Sequence, residues 1–350
     1  MIDIVDGGLP EHWPITKDYI ETIYYVTKQI NARFPRDNNL LISSQWEWMM
    51  PPDKNLDSPR YKKEYDNVFI LSTLDPVPRE RIEAYEAKGK NIYYIGNTTG
   101  RGYFSFWSIN TKNFKQYTDA ELSPVEFKHR ILSYNRNPHE HRLKLVNEML
   151  KRGIDKHGVI TLGDHFYTHN PDGKYPLAHK AAPLLAENPE SDKYLETGET
   201  EALHESQIPH DTYTLGNLKI WQNSFLVVVT EATVDSNVFI SEKVFKPMIG
   251  KRPFIVLGDV GIHDHLVSCG FKTFGKYFDM DDGIDRMPSY SMEKYVALCD
   301  VIEKVSTMSE DEMHALYQEM LPDIEHNYNN VTWFREHNQL KIQNKGLFKI

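Results

Sequence analysis

The sequence predicts an α/β protein with two Rossmann-like domains. Short apolar, β-branched runs alternate with helical segments, most clearly where the runs Phe225 to Val229 and Phe254 to Leu257 flank a helical stretch. Such alternation is typical of parallel strands in a covered sheet, joined by crossover helices. The pattern begins anew after a turn at Leu122-Ser123-Pro124, and 350 residues are enough for two domains, each with its own core.

The first domain is predicted to span residues 1–124. Its elements in order are an amphipathic helix at 15–33, strands at 40–44 and 67–74, a charged helix at 78–90, and strands at 91–95 and 103–109. The strand, helix and strand between 67 and 95 indicate a βαβ unit. The glycine-rich segment 96–102 matches neither Walker A nor a dinucleotide fingerprint, so we interpret it as a plain loop.

The second domain is predicted to span residues 125–325, followed by a C-terminal helix or tail at 326–350. Its predicted elements are strands at 129–134 and 159–162, a helix at 139–151, the strand–helix–strand unit at 225–257, a helix start at 262–267, a short strand at 270–278 and helical segments at 291–320 and 326–340. Residues 168–217 are polar and rich in Pro, Gly and Glu. They predict an insertion into this domain, with ordinary disorder as the competing interpretation.

The helix between the two central strands carries the clearest chemical signal. Ser241 is a suitable N-cap, which places Glu242 and Lys243 in the first turn. A lysine there opposes the helix dipole, so its presence suggests an anion held between the ammonium and the free N–H groups. A solvated lysine, or an i,i+4 pair between Glu242 and Lys246, is the competing explanation.

Four short blocks carry a resemblance to a known family. They are Thr230-Glu231 with Asn237, the run Ser241 to Pro247, the strand Pro253 to Gly258, and the run Gly270 to Phe274. Their order and spacing resemble the donor-binding segment of the α-1,3-fucosyltransferase family, and more closely the fucosyltransferase-like glycosyltransferases of tailed phages and marine bacteria. The resemblance covers roughly residues 128–285. It implies a GT-B type fold, in which two Rossmann-like domains face each other across a cleft.

The resemblance implies an enzyme that moves a sugar from a GDP- or UDP-linked donor to an acceptor hydroxyl, with inversion and without a metal or other cofactor. The implied donor-binding residues are Arg136, Arg142, Asn237, Ser241, Glu242, Lys243, Lys246 and Gly258. Lys243 and one of the two arginines would bind the diphosphate, and the residues do not decide between Arg136 and Arg142. Glu242 would accept hydrogen bonds from hydroxyls of the ribose or the donor sugar.

Inversion requires a base that faces the acceptor hydroxyl. Glu47 follows a predicted strand, lies between two tryptophans and precedes a proline pair, which is similar to the acceptor side of fucosyltransferases. We predict Glu47 as the catalytic base and Glu231 as the reserve candidate. An exposed carboxylate at a buried strand end is the alternative interpretation of Glu47.

The acceptor is predicted to be a glycan, and the alternative is a hydroxymethylated base of phage DNA. A formal net charge of −10 gives no global field that would attract nucleic acid. No apolar run approaches the roughly 18 residues of a membrane span, and two cysteines do not form a disulfide framework. A cytoplasmic location, the host cytoplasm for a viral protein, is therefore expected.

Two other classes of function compete. A metal-dependent hydrolase could use histidine clusters, which are His139-Glu140-His141, His263-Asp264-His265 and the group Asp164, His165 and His169. Asp279-Met280-Asp281 fits the Asp-x-Asp pattern of metal-dependent glycosyltransferases but lies after the donor segment, so we interpret it as an acidic loop. A non-catalytic sugar-binding protein would bind glycan and no nucleotide.

Overall fold

The computed structural model describes residues 2–6, 24, 27, 28, 30–32, 34–44, 65–72, 91–96, 114–163, 173–181, 214–280 apart from 233, 235–237, 239 and 269, 283–336, and 348–349. By their internal contacts, the residues divide into two compact units, Asn110–His337 and a unit of Met1–Ile109 with Asn338–Ile350. The predicted boundaries at 124/125 and 325/326 therefore both lie within the larger unit.

The smaller unit contains a five-stranded sheet in the order β1-β2-β3-β4-β9. Its strands are β1 (Ile2–Asp6), β2 (Asn39–Ser44), β3 (Asn67–Ser72), β4 (Asn91–Gly96) and β9 (Phe348–Lys349). The first four are parallel, and the C-terminal β9 pairs antiparallel with β4. Asn67 donates to Asn39 across the start of β2 and β3, at 2.9 Å, which satisfies two buried amides.

The larger unit contains a four-stranded parallel sheet in the order β6-β5-β7-β8. These strands are β5 (His129–Ser133), β6 (Gly158–Ile160), β7 (Ser224–Thr230) and β8 (Phe254–Leu257). Every residue of β7 and β8 is buried, because helices cover both faces of a parallel sheet of this kind.

Eight α-helices surround the second sheet in the part of the chain that the structure describes. They are α1 (Asp119–Leu122), α2 (Glu140–Lys151), α3 (Leu218–Gln222), α4 (Glu242–Ile249), α5 (Ile262–Ser268), α6 (Gly283–Arg286), α7 (Met292–Ser306) and α8 (Glu310–Glu336). Helix α7 packs on α2, and α8 packs on α4. No described helix is long and apolar enough to cross a membrane.

The α/β class is confirmed, with one parallel sheet and one sheet that is parallel except for β9. The predicted strand at 270–278 is wrong: this segment is irregular and ends in a 3-10 turn at Gly275–Phe278. Its backbone groups bond to α8 instead of a strand, since Asn327 pairs with both the N–H and the carbonyl of Lys272, and Asn330 donates to the carbonyl of Gly270.

The sequence predicts a break in the C-terminal helical region between residues 320 and 326, but the structure has it between Ser306 and Glu310. Helix α7 ends at Ser306, and the much longer α8 runs on to Glu336 through Pro322. Ser309 caps the start of α8, because its hydroxyl accepts from the Glu312 N–H and the Glu312 carboxylate accepts from the Ser309 N–H, which is a capping box.

Candidate functional site

The order of the second sheet points to the carboxyl ends of β5 and β7. The first strand of this sheet along the chain, β5, lies between the second, β6, and the third, β7. The chain therefore passes from β5 to β6 in one direction and from β6 back across β5 to β7 in the other, and open α/β sheets bind ligands in the crevice at such a switch point. The loop from β5 to α2 and the loop from β7 to α4 both begin at this point.

Asn135 joins the ends of three strands there. Its side-chain amide donates to the Thr161 carbonyl at 3.1 Å and to Ser133, and its oxygen accepts from the Thr230 hydroxyl at 2.6 Å. Its own N–H donates to the Thr161 hydroxyl at 3.1 Å. Asn135 is fully buried, and these bonds fix the position from which both loops leave the sheet.

Glu231, immediately after β7, is buried with 0% exposure. One carboxylate oxygen accepts from the Ser241 N–H at 2.9 Å, and the other accepts from the Ser241 hydroxyl at 2.5 Å. Burial raises the pKa of Glu231, against the opposing effects of Lys243 and Ser241. In this arrangement the carboxylate holds the start of α4 and does not face solvent. The role of Glu231 as the reserve catalytic base stays a prediction. This geometry does not favour it, because the carboxylate is already bonded to Ser241.

The first turn of α4 has the predicted form. Ser241 is the N-cap, and its hydroxyl accepts from the Lys243 N–H at 3.3 Å. The Lys243 ammonium lies 2.8 Å from Glu242 Oε1 and 3.4 Å from the Ser241 hydroxyl. The Lys243 side chain keeps 29% exposure, whereas the Glu242 side chain keeps 7%. The lysine is therefore accessible to a ligand while its neighbouring carboxylate is almost covered.

Glu242 remains ionised although it is buried. Burial by itself raises its pKa, but the charge and hydrogen bond of Lys243, together with the charge of Lys246, outweigh burial and lower the pKa. Its second oxygen, Oε2, is buried and has no hydrogen-bond partner among the described residues. Because most buried polar atoms are hydrogen-bonded, an ionised oxygen without a donor suggests a missing ligand group.

The two arginines have different surroundings. Arg142 is 2% exposed, and its guanidinium donates to the carbonyls of Asn137, Thr230 and Glu231 at 3.0 to 3.3 Å. These contacts give Arg142 a role in fixing the loop after β5 to the end of β7. Arg136, one residue after Asn135 in the same loop, is half-buried. Of the two, Arg136 is the more accessible to a diphosphate.

His141, like Arg142, joins the start of α2 to the residue that follows β7. Its Nε2 lies 2.9 Å from the Glu231 carbonyl, so this nitrogen carries the proton and donates. Burial and the nearby Arg142 charge lower the pKa of His141 to about 3. The His139 ring stacks on it with a centroid distance of 5.8 Å, and neither ring of this pair lies in a described group of metal ligands.

We expect the His141→Gln variant to lose part of the acid sensitivity of folding. Unfolded histidine takes up a proton near pH 6.5, whereas folded His141 does so only near pH 3. Its contribution to stability is therefore complete above pH 6.5 and falls as the pH is lowered. Between pH 7.5 and 5, the free energy of unfolding of the wild type should fall by about 2 kcal/mol more than that of the variant. Urea unfolding at the two pH values measures this, and equal decreases would contradict a neutral buried His141.

The loop after β8 is supported by a buried lysine, Lys294, which no sequence pattern singled out. Lys294 of α7 is 2% exposed, and its ammonium lies 3.4 Å from the Gly258 carbonyl and 3.5 Å from the Asp285 carbonyl. The Asp285 carboxylate accepts from the His263 N–H at 3.2 Å. A Cβ on Gly258 would lie 2.4 Å from Ile262 Cδ1, so this position requires a glycine or a shifted Ile262.

The structure thus brings together at one end of the sheet all of the predicted donor residues that it describes. These are Arg136, Arg142, Ser241, Glu242, Lys243, Lys246 and Gly258. Glu47 and Asn237 lie outside the described residues, as do Asp164, His165, His169, Asp281 and most of the predicted insertion. No group of three or more His, Cys, Asp or Glu side chains suited to a metal occurs among the described residues.

Comparison with known proteins gives a limited result. No protein-family profile and no curated protein matches the sequence. One solved structure, that of the DNA-modifying enzyme β-glucosyltransferase with and without uridine diphosphoglucose, aligns with 96% of this chain and 97% of its own. The sequence identity is 12% and the TM-score is 0.41. A likeness of this degree assigns no function, and the fucosyltransferase resemblance receives no support from these comparisons.

Proposed function

We propose that the protein is a nucleotide-sugar-dependent glycosyltransferase whose donor binds at the carboxyl ends of β5 and β7. The observation that carries this proposal is the buried, unpartnered Oε2 of Glu242 beside the accessible Lys243 ammonium. A nucleotide sugar offers both a diphosphate for the cation and ribose or sugar hydroxyls for the carboxylate. The hydroxyl would supply the hydrogen bond that Glu242 lacks among the described residues.

The proposed chemistry uses fixed positive groups. Cleavage of the sugar–phosphate bond leaves negative charge on the departing diphosphate, and preorganised donors aimed at that charge lower the barrier. Lys243 and the N–H groups at the start of α4 are such donors, and Arg136 adds a second cation from the loop after β5. No metal or other cofactor enters this proposal, since cationic side chains take the role that a divalent ion has in other transferases.

The acceptor hydroxyl must lose its proton to a base on the side opposite the leaving group. Glu47 remains the proposed base, on the acceptor side of the donor sugar. The donor is proposed to be GDP- or UDP-linked and the acceptor a glycan, with a hydroxymethylated DNA base as the alternative. The net charge of −10 favours the glycan, because DNA binding draws on a basic surface.

A nucleotide panel tests the donor site. We expect one of GDP, UDP, CDP and ADP to raise the melting temperature, with no effect of EDTA, and about 2.7 kcal/mol of stabilisation at one hundred times its dissociation constant. No shift with any nucleotide, combined with destabilisation by EDTA, would favour a metal-dependent hydrolase.

The Glu242→Gln variant tests the role of the carboxylate. We expect it to bind the preferred nucleoside diphosphate roughly tenfold more weakly, because a charged hydrogen bond to a hydroxyl is worth about 1.5 to 3 kcal/mol. Inorganic pyrophosphate has no hydroxyls, so its affinity should change little. Isothermal titration measures both, with the exposed Glu319→Gln as the matched control. An equal loss for both ligands would contradict a hydroxyl-binding role.

A further inference from the structure

Glu231 makes hydrogen bonds to three different elements around the switch point. Its N–H donates to the Leu257 carbonyl of β8 at 2.9 Å. Its carbonyl accepts from His141 and Arg142 at the start of α2, at 2.9 and 3.0 Å. Its carboxylate accepts twice from Ser241 at the start of α4.

The backbone and the side chain of Glu231 bond to different elements. The backbone of Glu231 holds α2 and β8, and only the side chain holds α4. Because the residue is fully buried, bulk solvent does not reach the carboxylate to compete for the bonds to Ser241. A buried carboxylate that accepts two hydrogen bonds from one residue fixes that residue strongly in place.

Ser241 in turn determines the first turn of α4. Its hydroxyl, which donates to Glu231, accepts from the Lys243 N–H and lies 3.4 Å from the Lys243 ammonium. The next residue, Glu242, has the carboxylate on which the donor proposal depends. The position of both charged groups therefore follows from the bond between Glu231 and Ser241.

We infer that Glu231 is a positioning residue, which sets Lys243 and Glu242 relative to the start of α2 without touching the ligand. This inference rests on the proposed donor site for its consequence in binding. In this view Glu231 does not transfer a proton as a catalytic base. It preorganises the site that binds the diphosphate. A ligand that binds a preorganised site avoids the cost of ordering it.

Hydrogen exchange and binding of two variants test the inference. Glu231→Gln keeps the backbone carbonyl for His141 and Arg142 but replaces one of the two acceptor oxygens with an N–H₂ group that faces the Ser241 donors. Ser241→Ala removes the hydroxyl and leaves Glu231 intact. We expect the amides of Ser241 and Lys243 to exchange roughly tenfold faster in both variants, while α2 keeps its protection. Affinity for UDP, GDP and inorganic pyrophosphate should fall roughly tenfold.

Each outcome decides between the alternatives. Unchanged exchange at Ser241 and Lys243, or an equal increase throughout α2, would overturn the positioning role. Faster exchange with unchanged affinity, in a protein whose wild type binds diphosphate, would overturn its connection to the donor site. Faster exchange in a protein whose wild type binds no diphosphate would support the positioning role and contradict the proposed function. If Glu231→Gln does not fold, Ser241→Ala carries the same test.

Discussion

Replacing Lys243 by alanine is expected to weaken binding of the preferred nucleoside diphosphate by roughly thirtyfold, since a charge-assisted bond to phosphate is worth about 2 kcal/mol. The loss has two parts. The ammonium itself no longer meets the phosphate, and Glu242 loses the neighbouring charge and the hydrogen bond that lower its pKa. Burial then favours the protonated carboxyl, which accepts hydrogen bonds from ligand hydroxyls less well.

Isothermal titration with the nucleoside diphosphate and with pyrophosphate measures this effect. Unlike Glu242→Gln, the Lys243→Ala variant should lose affinity for both ligands, because both contain the diphosphate. The exposed Lys304, at the end of α7, provides the matched control as Lys304→Ala. Lys243→Arg keeps the charge and should recover part of the affinity. If Lys243→Ala bound pyrophosphate as tightly as Lys304→Ala does, the phosphate assignment would be wrong.

Replacing Arg252 by methionine is expected to cost about 3 to 5 kcal/mol of folding stability, because it removes a buried guanidinium that donates to five carbonyls at once. Arg252 is 1% exposed. Its guanidinium donates at 2.9 to 3.4 Å to the carbonyls of Leu122, Gln222, Ser224, Gly250 and Lys251. Burial lowers its pKa to about 10, so the group remains charged at neutral pH.

Urea unfolding at pH 7 measures this prediction, with Arg152→Met as the matched control. Arg152 has 15% side-chain exposure and pairs with the carboxylates Glu148, Asp300 and Glu303. Ion pairs near the surface contribute little, so this variant should lose about 1 kcal/mol. Similar losses for the two variants would show that the carbonyls around Arg252 find other donors.

Some elements of the fold could be predicted because their signals are local. Ser241 begins α4 as predicted, since an N-cap bonds to amides two or three residues ahead. The strands β7 and β8 were recognisable as continuous apolar runs. The 270–278 segment was predicted wrongly for the opposite reason, because its apolar residues pack in an irregular segment whose polar backbone groups bond to a distant helix.

The candidate site also has one part that could be predicted from local sequence and another part that depends on the tertiary structure. The sequence by itself determined that Glu242 and Lys243 stand in the first turn of a helix beside a buried strand, because cap chemistry and apolar periodicity act over a few residues. Only the tertiary structure decided that Arg142 binds carbonyls, that Glu231 holds Ser241, and that Lys294 supports the loop after β8. A buried polar group bonds to whatever donor or acceptor the packed elements bring within about 3 Å. That partner depends on the order of the strands and on the faces on which the helices pack.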